Sequence, residues 1–290
     1  MVELKVAVIG GTGKMGAWFV RHFASAGFTT LLSDRRLEEA DVVADACGAE
    51  SARTNREAVT GVDLALVSVP IMETRNLVLD IAPHMSEGAV LAEISSLKLP
   101  TIDALRRATE HGAIPLSLHP LFGPTARTLK GQNTVVVPVV DGGVELRAAR
   151  RWFGDGEIIS SEALEHDRVM SLVLSLPYLM NLAFAKVLQG NDVHLLKRMS
   201  GTTSAVQLAL AESVVGEEPL LVESLLKENP FTRPCLDQLI SESMRLRDVL
   251  DGSSEKFRRH MDSLVDSLSR DPEFRNADER RYRAFTALKR

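Results

Sequence analysis

One histidine of this chain stands where a side chain could exchange a proton with a substrate. His119 follows the apolar run Ile114–Leu118 and precedes Pro120. Because a residue before proline is held in an extended conformation, this imidazole is expected on a stiff loop at the end of a strand. An imidazole with a pKa near neutrality suits removal of a proton from an alcohol while a hydride leaves the alcohol carbon. We therefore predict that His119 is catalytic and that the Ser96 hydroxyl orients the same substrate group.

A glycine-rich loop near the amino terminus could bind phosphate. Gly11, Gly13 and Gly16 form the pattern G-x-G-x-x-G between the strand-like run Val6–Ile9 and a helix that begins near Lys14. In this pattern the first glycine permits a tight turn, the second lets the backbone approach a pyrophosphate, and the third lets the helix pack closely on the strand. The N–H groups and the positive end of the following helix favour an anion. The loop therefore predicts a dinucleotide site.

Charged residues after the second predicted strand indicate which dinucleotide binds. Asp34 lies eighteen residues after Gly16, where a carboxylate can accept a hydrogen bond from the ribose 2′-hydroxyl of NAD. Arg35 and Arg36 follow it, and an arginine there can hold the 2′-phosphate of NADP. We expect NAD, with NADP as the alternative. The predicted cofactor-binding residues are Gly11, Thr12, Gly13, Lys14, Met15, Gly16, Asp34, Arg35, Ser68, Val69 and Pro70.

The first half of the chain alternates short apolar runs with helical patterns. Strands are predicted at about 6–9, 29–33, 64–69, 90–94, 114–118 and 135–139, and helices at about 14–26, 37–47 and 72–82. This alternation is typical of a parallel sheet covered on both faces. Residues 1–160 are therefore predicted to form an α/β Rossmann-type dinucleotide-binding domain.

The second half of the chain has a different pattern. From about residue 161 there are no strand-like runs, and helices are predicted at about 164–188, 203–215, 219–227, 235–250 and 255–268. The first of these carries Pro177, which predicts a kink. The apolar faces are broader than one thin domain would bury, so residues 161–290 are predicted to form an all-α domain that pairs with a second copy. The expected assembly is a homodimer.

Composition excludes several classes of protein. The 290 residues are 45% apolar and 25% charged, as in ordinary folded proteins, and the net charge of −5 argues against non-specific nucleic-acid binding. Cys47 and Cys235 are too few and too far apart for a disulfide framework or a cysteine-rich metal site, and we expect no metal. No apolar run approaches the roughly 20 residues of a bilayer span, and the first residues lack the features of a signal peptide. We therefore expect a cytoplasmic protein with no membrane partner.

Several motifs together resemble those of the prephenate dehydrogenase family. They are the glycine loop, Val67–Pro70, the pair Ser96 and Lys98, and above all His-Pro-Leu-Phe-Gly-Pro from His119 to Pro124. The resemblance implies a Rossmann-type domain followed by an all-α dimerisation domain. It also implies the oxidative decarboxylation of prephenate to 4-hydroxyphenylpyruvate, with hydride transfer to a nicotinamide. In that reaction His119 would accept the proton of the ring hydroxyl, Ser96 would assist it, and Lys98 would contact the substrate.

Three positions in the helical half depart from the family's pattern. Ser175 and Tyr178 stand where the resemblance places two histidines, and Ala205 stands where it places an arginine that binds a substrate carboxylate. We expect Ser175 and Tyr178 to bind substrate and Arg198 to supply the missing charge. The other cations that could supply it are Arg168, Lys197 and Arg233. These departures leave arogenate, or a related ring with a 4-amino group, open as the substrate.

Other interpretations of the same residues are open. His166 and Asp167 resemble the start of the family's dimerisation domain, and we interpret them as a helix cap that anchors the domain. A β-hydroxyacid dehydrogenase or an imine reductase would use a lysine or an aspartate on the long helix, such as Lys186 or Asp167. That interpretation leaves the segment after His119 unexplained. A protein that binds NAD only as a sensor or scaffold would show no hydride transfer to any ring acid.

Overall fold

The computed structural model of the chain describes residues 4–289. Its strands are β1 (Lys5–Ile9), β2 (Thr29–Ser33), β3 (Glu50–Ser51), β4 (Leu64–Val67), β5 (Val90–Glu93), β6 (Ile114–Pro120), β7 (Asn133–Val137) and β8 (Glu157–Ser160). They form one sheet in the order β3-β2-β1-β4-β5-β6-β7-β8. Neighbouring strands are parallel except β6 and β7, which are antiparallel and place His119 opposite Val135. The predicted parallel sheet is thus confirmed for every pair but this one, because the segment 121–132 reverses the chain direction between the two strands.

Within residues 4–289, seven α-helices accompany the sheet. They are α1 (Lys14–Ser25), α2 (Leu37–Cys47), α3 (Asn55–Val59), α4 (Ile71–Ile81), α5 (Ile102–Ala108), α6 (Gly142–Phe153) and α7 (Ala163–Met170). The first, second and fourth agree with the predicted spans to within one residue at each end. The helix α6 was not predicted, although Asp141 caps it by accepting hydrogen bonds from the backbone N–H groups of Gly143 and Val144.

Apolar side chains cover both faces of the sheet, because successive residues of a strand point to opposite sides. Val6 and Val8 of β1 belong to a buried cluster that includes aromatic residues of α1 and α6. Ala7 and Ile9 belong to a second buried cluster, which includes residues of α4 and α5. The prediction that helices cover the sheet on both sides is therefore confirmed.

The later part of the chain is helical, as predicted. Its helices are α8 (Leu176–Leu188), α9 (Val193–Arg198), α10 (Thr202–Val215), α11 (Pro219–Lys227), α12 (Thr232–Leu250), α13 (Ser254–Leu268) and α14 (Ala277–Ala287). The predicted helix at 164–188 is not uniform, since a π-helical segment, Ser171–Ser175, joins α7 to α8. Proline has no N–H to donate and its ring clashes with the carbonyl four residues earlier, so Pro177 disturbs the turn that precedes it. The predicted kink is therefore a local change of helix type.

In the part of the chain that the structure describes, one helical stretch is long enough to cross a bilayer. Ala163–Leu188 spans 26 residues and is apolar enough by composition, so the expectation that no run approaches this length was wrong. Length and composition do not separate a membrane span from a helix at a protein core or interface. The stretch also carries the charged residues Glu165, Asp167 and Arg168 near its start. It is therefore weak evidence for a membrane.

The chain divides into two compact units. The first comprises the residues up to Met170 together with 223–229, and the second comprises 171–222 and the residues from 230 onward. The predicted boundary lay at residue 160. The first unit extends further because Asp167 on α7 is bonded within it. Its carbonyl oxygen accepts a hydrogen bond from the Asn229 amide at 2.8 Å, which also accounts for the return of 223–229 to this unit.

Candidate active site

Four neighbouring strands end at one edge of the sheet, and each leads into a predicted site segment. β1, β4, β5 and β6 are adjacent and parallel, so their carboxyl ends meet at the same edge. The glycine loop follows β1, Ser68–Pro70 follows β4, Ser96 and Lys98 follow β5, and His119 lies near the end of β6. The sheet thus brings the predicted cofactor-binding and catalytic residues of the first unit to one edge.

Three glycines of this loop, Gly10, Gly11 and Gly16, leave no room for a Cβ atom. Gly10 has a φ of +82°, a conformation that favours glycine, and a Cβ on Gly16 would lie 2.1 Å from the Gly10 carbonyl oxygen. A Cβ on Gly11 would lie 2.7 Å from the Cβ of Leu32 in β2. The predicted close packing at Gly16 is confirmed. The tight turn, however, falls on Gly10 rather than Gly11, where glycine is needed because of the Leu32 side chain.

The start of α1 fits an anionic ligand. Gly13 is the N-cap residue, so no side chain caps the helix, and the first turn holds no acidic residue. A Cβ on Gly13 would meet only two backbone oxygens, that of Gly10 at 3.4 Å and that of Ser68 at 3.9 Å. The first N–H groups of a helix have no partners within the helix. Together with the positive end of the helix dipole, they fit the pyrophosphate of a dinucleotide.

Asp34 lies beside the glycine loop, immediately after β2. Its carboxylate accepts hydrogen bonds from the Thr12 hydroxyl at 2.6 Å, the Thr12 N–H at 3.2 Å and the Arg36 N–H at 3.1 Å. Burial raises the pKa of Asp34, but these hydrogen bonds and the Arg36 guanidinium outweigh burial and hold the pKa below its usual value. Asp34 is therefore an anion at the loop. The exposed Arg35 guanidinium lies 3.6 Å from the carboxylate of Glu73.

His119 is buried in β6, with 7% of its surface exposed. Its Nδ1 lies 3.0 Å from Nε2 of His166, and the two rings meet edge to face. Its Nε2 has no hydrogen-bond partner among residues 4–289. Burial lowers the pKa of His119 well below its usual value of 6.5, the positive charge of Lys98 lowers it further, and His166 would add to this lowering only while it carried a charge. At neutral pH the imidazole is therefore uncharged and able to accept a proton.

His166 and Asp167 lie inside α7 rather than at its start. The interpretation of the pair as a cap of their own helix was therefore wrong. Asp167 is fully buried and accepts hydrogen bonds from His166 Nδ1 at 2.7 Å and from the backbone N–H groups of Lys98 and Leu99, both at 2.9 Å. These bonds anchor α7 to the segment after β5, and His166 joins that anchor to His119.

Lys98 is fully buried in an ion pair. Its Nζ lies 2.8 Å from Oε1 of Glu93 and also donates to the Leu118 carbonyl oxygen. The same oxygen of Glu93 accepts a hydrogen bond from the Ser117 hydroxyl at 2.6 Å. Burial lowers the pKa of Lys98, although the Glu93 charge opposes this. An ammonium group enclosed in this way cannot reach a ligand, so the geometry does not support the predicted substrate contact and instead gives Lys98 a role in joining β5 to β6.

Ser95 and Ser96 have different surroundings after β5. Ser95 is buried, its hydroxyl lies 3.1 Å from that of Thr74, and its N–H donates to Glu93 at 2.7 Å. Ser96 is half-buried, and its hydroxyl makes no hydrogen bond to another residue in the described part of the chain. Ser95 is thus part of the scaffold, whereas Ser96 is open to a ligand. The assistance of Ser96 to His119 stays a prediction.

Three predicted site residues belong to the second unit. Ser175 is buried, and its hydroxyl accepts a hydrogen bond from the Thr232 hydroxyl at 2.9 Å. Tyr178 is half-buried in α8, where burial raises the pKa of its phenol and the charge of Glu217 raises it further. Arg198 is exposed at the end of α9. Their contacts with substrate stay predictions.

Arg198 differs from the other cations considered for the substrate carboxylate. Those three lie 2.6–3.7 Å from acidic side chains, in the pairs Arg168–Glu165, Lys197–Glu212 and Arg233–Asp237. Arg198 forms no ion pair with any residue between 4 and 289. Its charge is therefore not neutralised within the described chain, which favours it over the other three.

Neither the role of Glu93 nor the position of His166 beside His119, the predicted catalytic histidine, was predicted from the sequence. An acid that ends an apolar strand and precedes a lysine by five residues was a signal for Glu93, because such charges are rarely buried unless paired. No comparable local signal existed for His166. Its position follows from the packing of α7 against a loop that lies far away in sequence.

Two other features bear on where the site lies. A surface groove of about 410 Å³ lies at the opposite edge of the sheet, next to Asp63, Gly88 and Ile114 near the amino ends of β4, β5 and β6. No predicted site residue lines this groove. Between residues 4 and 289, no three His, Cys, Asp or Glu side chains lie together as metal ligands. Because the predicted site residues of the first unit meet at the carboxyl edge of the sheet and none of them lines the groove at the opposite edge, the carboxyl edge is the candidate active site.

Two family models match the chain. One, described as the nucleotide-binding domain of prephenate dehydrogenase, matches residues 21–139. The other, described as the dimerization domain of prephenate dehydrogenase, matches residues 162–268. The first covers most of the sheet with its helices, and the second covers most of the helical part.

Named relatives of similar sequence include dehydrogenases for different ring acids. A probable arogenate/prephenate dehydrogenase of Methanocaldococcus jannaschii is 24% identical over 259 residues, which are 86% of this chain and 57% of that protein. This chain therefore spans little more than half the length of that relative. A 4-amino-4-deoxyprephenate dehydrogenase of Streptomyces pristinaespiralis is 27% identical over 263 residues, which are 87% of this chain and 86% of that protein.

Solved structures share the fold. Prephenate dehydrogenase from A. aeolicus, crystallised with hydroxyphenyl propionate and NAD⁺, has a TM-score of 0.72 at 16% identity and covers 93% of this chain and 99% of its own. Synechocystis arogenate dehydrogenase has a TM-score of 0.70 at 16% identity, with the same coverage of both chains. At this identity the likeness shows the fold alone. Because the two family models together cover most of its length, the chain belongs to the prephenate dehydrogenase family.

Proposed function

We propose that this chain is a nicotinamide-dependent dehydrogenase that converts prephenate to 4-hydroxyphenylpyruvate, a step of tyrosine biosynthesis. The observation that carries the proposal is the state of His119, a buried and uncharged imidazole whose Nε2 has no hydrogen-bond partner among residues 4–289. It lies at the sheet edge that also carries the glycine loop. Membership of the family supports the class of substrate.

The residues at this edge suit a nicotinamide dinucleotide. The start of α1 would hold the pyrophosphate, Asp34 would hold the adenosine ribose, and Ser68–Pro70 lie beside the loop. When bound, the nicotinamide would supply the acceptor for a hydride from ring carbon 4. Everything else that the reaction needs is alignment, proton storage and the neutralisation of two substrate carboxylates.

His119 would store one proton during the reaction. The proton of the ring hydroxyl moves to Nε2 of His119 while the carbon–oxygen bond gains double-bond character. Breaking of the bond to the ring carboxylate releases carbon dioxide and makes the ring aromatic, and the phenolic oxygen then takes the proton back. The reaction therefore has no net proton change, and Ser96 would hold the same oxygen in place.

The uncharged state of His119 predicts a pH profile. Protonation would remove the proton acceptor, and the pKa of His119 lies well below 6.5 because burial and nearby positive charge disfavour the imidazolium. We therefore expect kcat/KM to stay level as the pH falls to 6.5 and to decline only at lower pH. Initial rates measured across this range test the expectation. An acid limb centred at or above 6.5 would contradict it.

NAD is the proposed cofactor in preference to NADP. Asp34 is an anion at the position of the ribose, where a carboxylate accepts a hydrogen bond from a 2′-hydroxyl and repels a 2′-phosphate. The Arg36 guanidinium lies 3.4 Å from Asp34, so part of its charge is already neutralised. The balance of these charges favours the cofactor without the extra phosphate.

Asp34→Asn tests this preference. The change keeps the shape of the side chain but removes its charge, so the KM for NAD is expected to rise about tenfold or more, with a smaller effect on NADP. Kinetics with each cofactor measure both constants. Asp45→Asn, on an exposed position of α2, is the matched control and should change neither. Equal losses with the two cofactors would remove the ribose role of Asp34.

The second unit is proposed to bind a second copy of the chain. Its helices expose large apolar side chains, including Val173 at 58%, Val187 at 77% and Met244 at 54%. A groove of about 360 Å³ between α8 and α12 is lined mainly by apolar residues such as Leu179 and Ile240. Light scattering should give twice the chain mass of 31.7 kDa. A single chain mass at micromolar concentration would contradict the homodimer.

A ring with a 4-amino group is the second candidate substrate. The relative from Streptomyces pristinaespiralis matches along most of its own length as well as most of this chain, and Ser175 and Tyr178 stand where the family resemblance places two histidines. Comparison of kcat/KM for prephenate, arogenate and 4-amino-4-deoxyprephenate separates the candidates. We expect prephenate to be the best substrate. A higher kcat/KM for arogenate or for 4-amino-4-deoxyprephenate would make that compound the proposed substrate in place of prephenate.

A further inference from the structure

We propose that His166 and Asp167 fix the proton positions on His119, so that His119 presents an unprotonated Nε2 to its substrate. This inference rests on the proposed function of His119 as the proton acceptor. It begins from three side chains in a row within the first unit, since Asp167 is 0%, His166 is 2% and His119 is 7% exposed. His166 is thereby a positioning residue, because it acts on the reacting groups through His119.

The order of hydrogen bonds determines which nitrogen carries a proton. An ionised carboxylate only accepts, so the 2.7 Å bond to Asp167 places a hydrogen on Nδ1 of His166. In a neutral His166 the other nitrogen, Nε2, is then an acceptor. It lies 3.0 Å from Nδ1 of His119, which must therefore be the donor. A neutral imidazole has one N–H, so Nε2 of His119 is left with its lone pair.

The carboxylate at the end of this row is held on both sides. One oxygen of Asp167 accepts from the Lys98 N–H and the other from the Leu99 N–H, both at 2.9 Å. The carboxylate therefore cannot rotate away from His166 without losing a buried hydrogen bond. The backbone of α7 is fixed as well, because the Asn229 amide donates to the Asp167 carbonyl oxygen. The row is thus built into the scaffold of the site.

The row also determines where charge goes when His119 is protonated. A proton arriving at Nε2 makes His119 an imidazolium, whose Nδ1–H then donates more strongly to His166. Asp167 provides a negative charge one ring further on. Lys98 opposes this stabilisation, but its ammonium group is paired with Glu93. An acid that holds an imidazole in one tautomer and stabilises its protonated form does the same in serine proteases, and here a second imidazole stands between them.

A protonated His166 would reverse this assignment. Its Nε2–H would donate to Nδ1 of His119, which would place the hydrogen of His119 on Nε2 and leave no lone pair for the substrate. A charged His166 would also lower the pKa of His119, whereas a neutral His166 bonded to Asp167 favours the His119 imidazolium. The neutral and protonated states of His166 therefore differ in which nitrogen of His119 carries its hydrogen. They also differ in whether His166 raises or lowers the pKa of His119.

Nitrogen NMR of the full chain labelled in its histidine rings tests the proton positions directly. At neutral pH we expect Nδ1 of His119 to be protonated and Nε2 to be unprotonated, with signals assigned from His119→Asn and His166→Asn. A protonated Nε2 in His119 would overturn the proposal. The NMR result does not depend on turnover. The absence of any dehydrogenase activity would therefore contradict the proposed function, whereas the proton positions on His119 would still be decided by the NMR spectra.

Two substitutions of His166 test the consequence for catalysis. Asparagine can still donate to Asp167 but gives His119 no acceptor, whereas glutamine places an amide oxygen near the position of Nε2. We expect His166→Asn to lower kcat about 10²-fold with little change in KM, and His166→Gln to recover part of the loss. The acid limb of kcat/KM should move to lower pH in His166→Asn, because the His119 imidazolium loses its support.

The exposed His111 provides the matched control, since it lies in the same unit and away from the row. His111→Asn and His111→Gln should leave kcat and the acid limb unchanged. Wild-type kcat in His166→Asn, or an acid limb that moves to higher pH, would overturn the proposal. Thermal unfolding and NAD titration of each variant separate these effects from misfolding.

Discussion

Replacing His119 with asparagine is expected to lower kcat by about 10²–10⁴-fold, equivalent to roughly 3–5 kcal/mol of transition-state stabilisation. Asparagine keeps a donor near the position of Nδ1, which bonds to His166, but it has no atom at Nε2. The acceptor for the ring hydroxyl is therefore lost while the interior contact is retained. Steady-state kinetics with the best of the three ring acids measure the effect.

NAD affinity and folding serve as controls for the same variant. The contacts of the glycine loop and of Asp34 do not include His119, so NAD titration should give nearly the wild-type affinity. The melting temperature should change little. His119→Asn with wild-type kcat would show that another group accepts the proton. Parallel loss of NAD binding would give His119 a structural role.

Replacing Lys98 with methionine is expected to destabilise the first unit by about 3–5 kcal/mol. The change leaves the Glu93 carboxylate buried without its cation, and the Leu118 carbonyl loses a donor. Both tryptophans, Trp18 and Trp152, lie in this unit. Their fluorescence during urea unfolding therefore reports on the free energy of the affected part of the chain.

Two further variants show whether the buried pair is the cause. Lys98→Met combined with Glu93→Gln removes both charges and should recover much of the lost stability. Lys227 pairs with Glu223 on the surface, where solvent screens the two charges, and Lys227→Met should leave the urea midpoint almost unchanged. Equal urea midpoints for Lys98→Met and Lys227→Met would contradict the account of Lys98 as a buried structural cation.

Much of the fold could be predicted because its signals are local. The glycine loop follows β1 directly, and Gly27, just after the end of α1, has the positive φ of +85° that is typical of a helix stop. Strands such as β2 and helices such as α2 agree with their predicted spans because each has a clear apolar period and a clear stop. The helices α3 and α5 were not predicted, because they are only five and seven residues long and the apolar pattern over so few residues is weak.

The direction of β7 could not be predicted for a different reason. Its apolar run would suit either a parallel or an antiparallel neighbour, since both bury the same side chains. The direction depends on the segment 121–132, which joins β6 to β7 without a helix. A parallel pair needs a crossover connection of about a dozen residues or more, and sequence patterns do not show whether such a connection crosses the sheet.

The site was predicted strand by strand, but its internal contacts were not. His119, Ser96 and the glycine loop were identified because each follows an apolar run. The bond between His119 and His166 joins residues 47 positions apart, and that between Lys98 and Asp167 joins residues 69 positions apart. Such contacts depend on how α7 packs, which no local pattern determines. For the same reason the burial of Lys98 was not predicted, and a contact between Lys98 and the substrate was predicted instead.

The most direct test of the central claim is the stoichiometry of the reaction with prephenate and NAD. The purified chain should produce one reduced nicotinamide, one carbon dioxide and one 4-hydroxyphenylpyruvate for each prephenate consumed, at a rate that His119→Asn lowers. Reduced nicotinamide is followed by its absorbance, and the other two products by chromatography and gas release. NAD binding without nicotinamide reduction, with prephenate, arogenate and the 4-amino ring alike, would contradict the account.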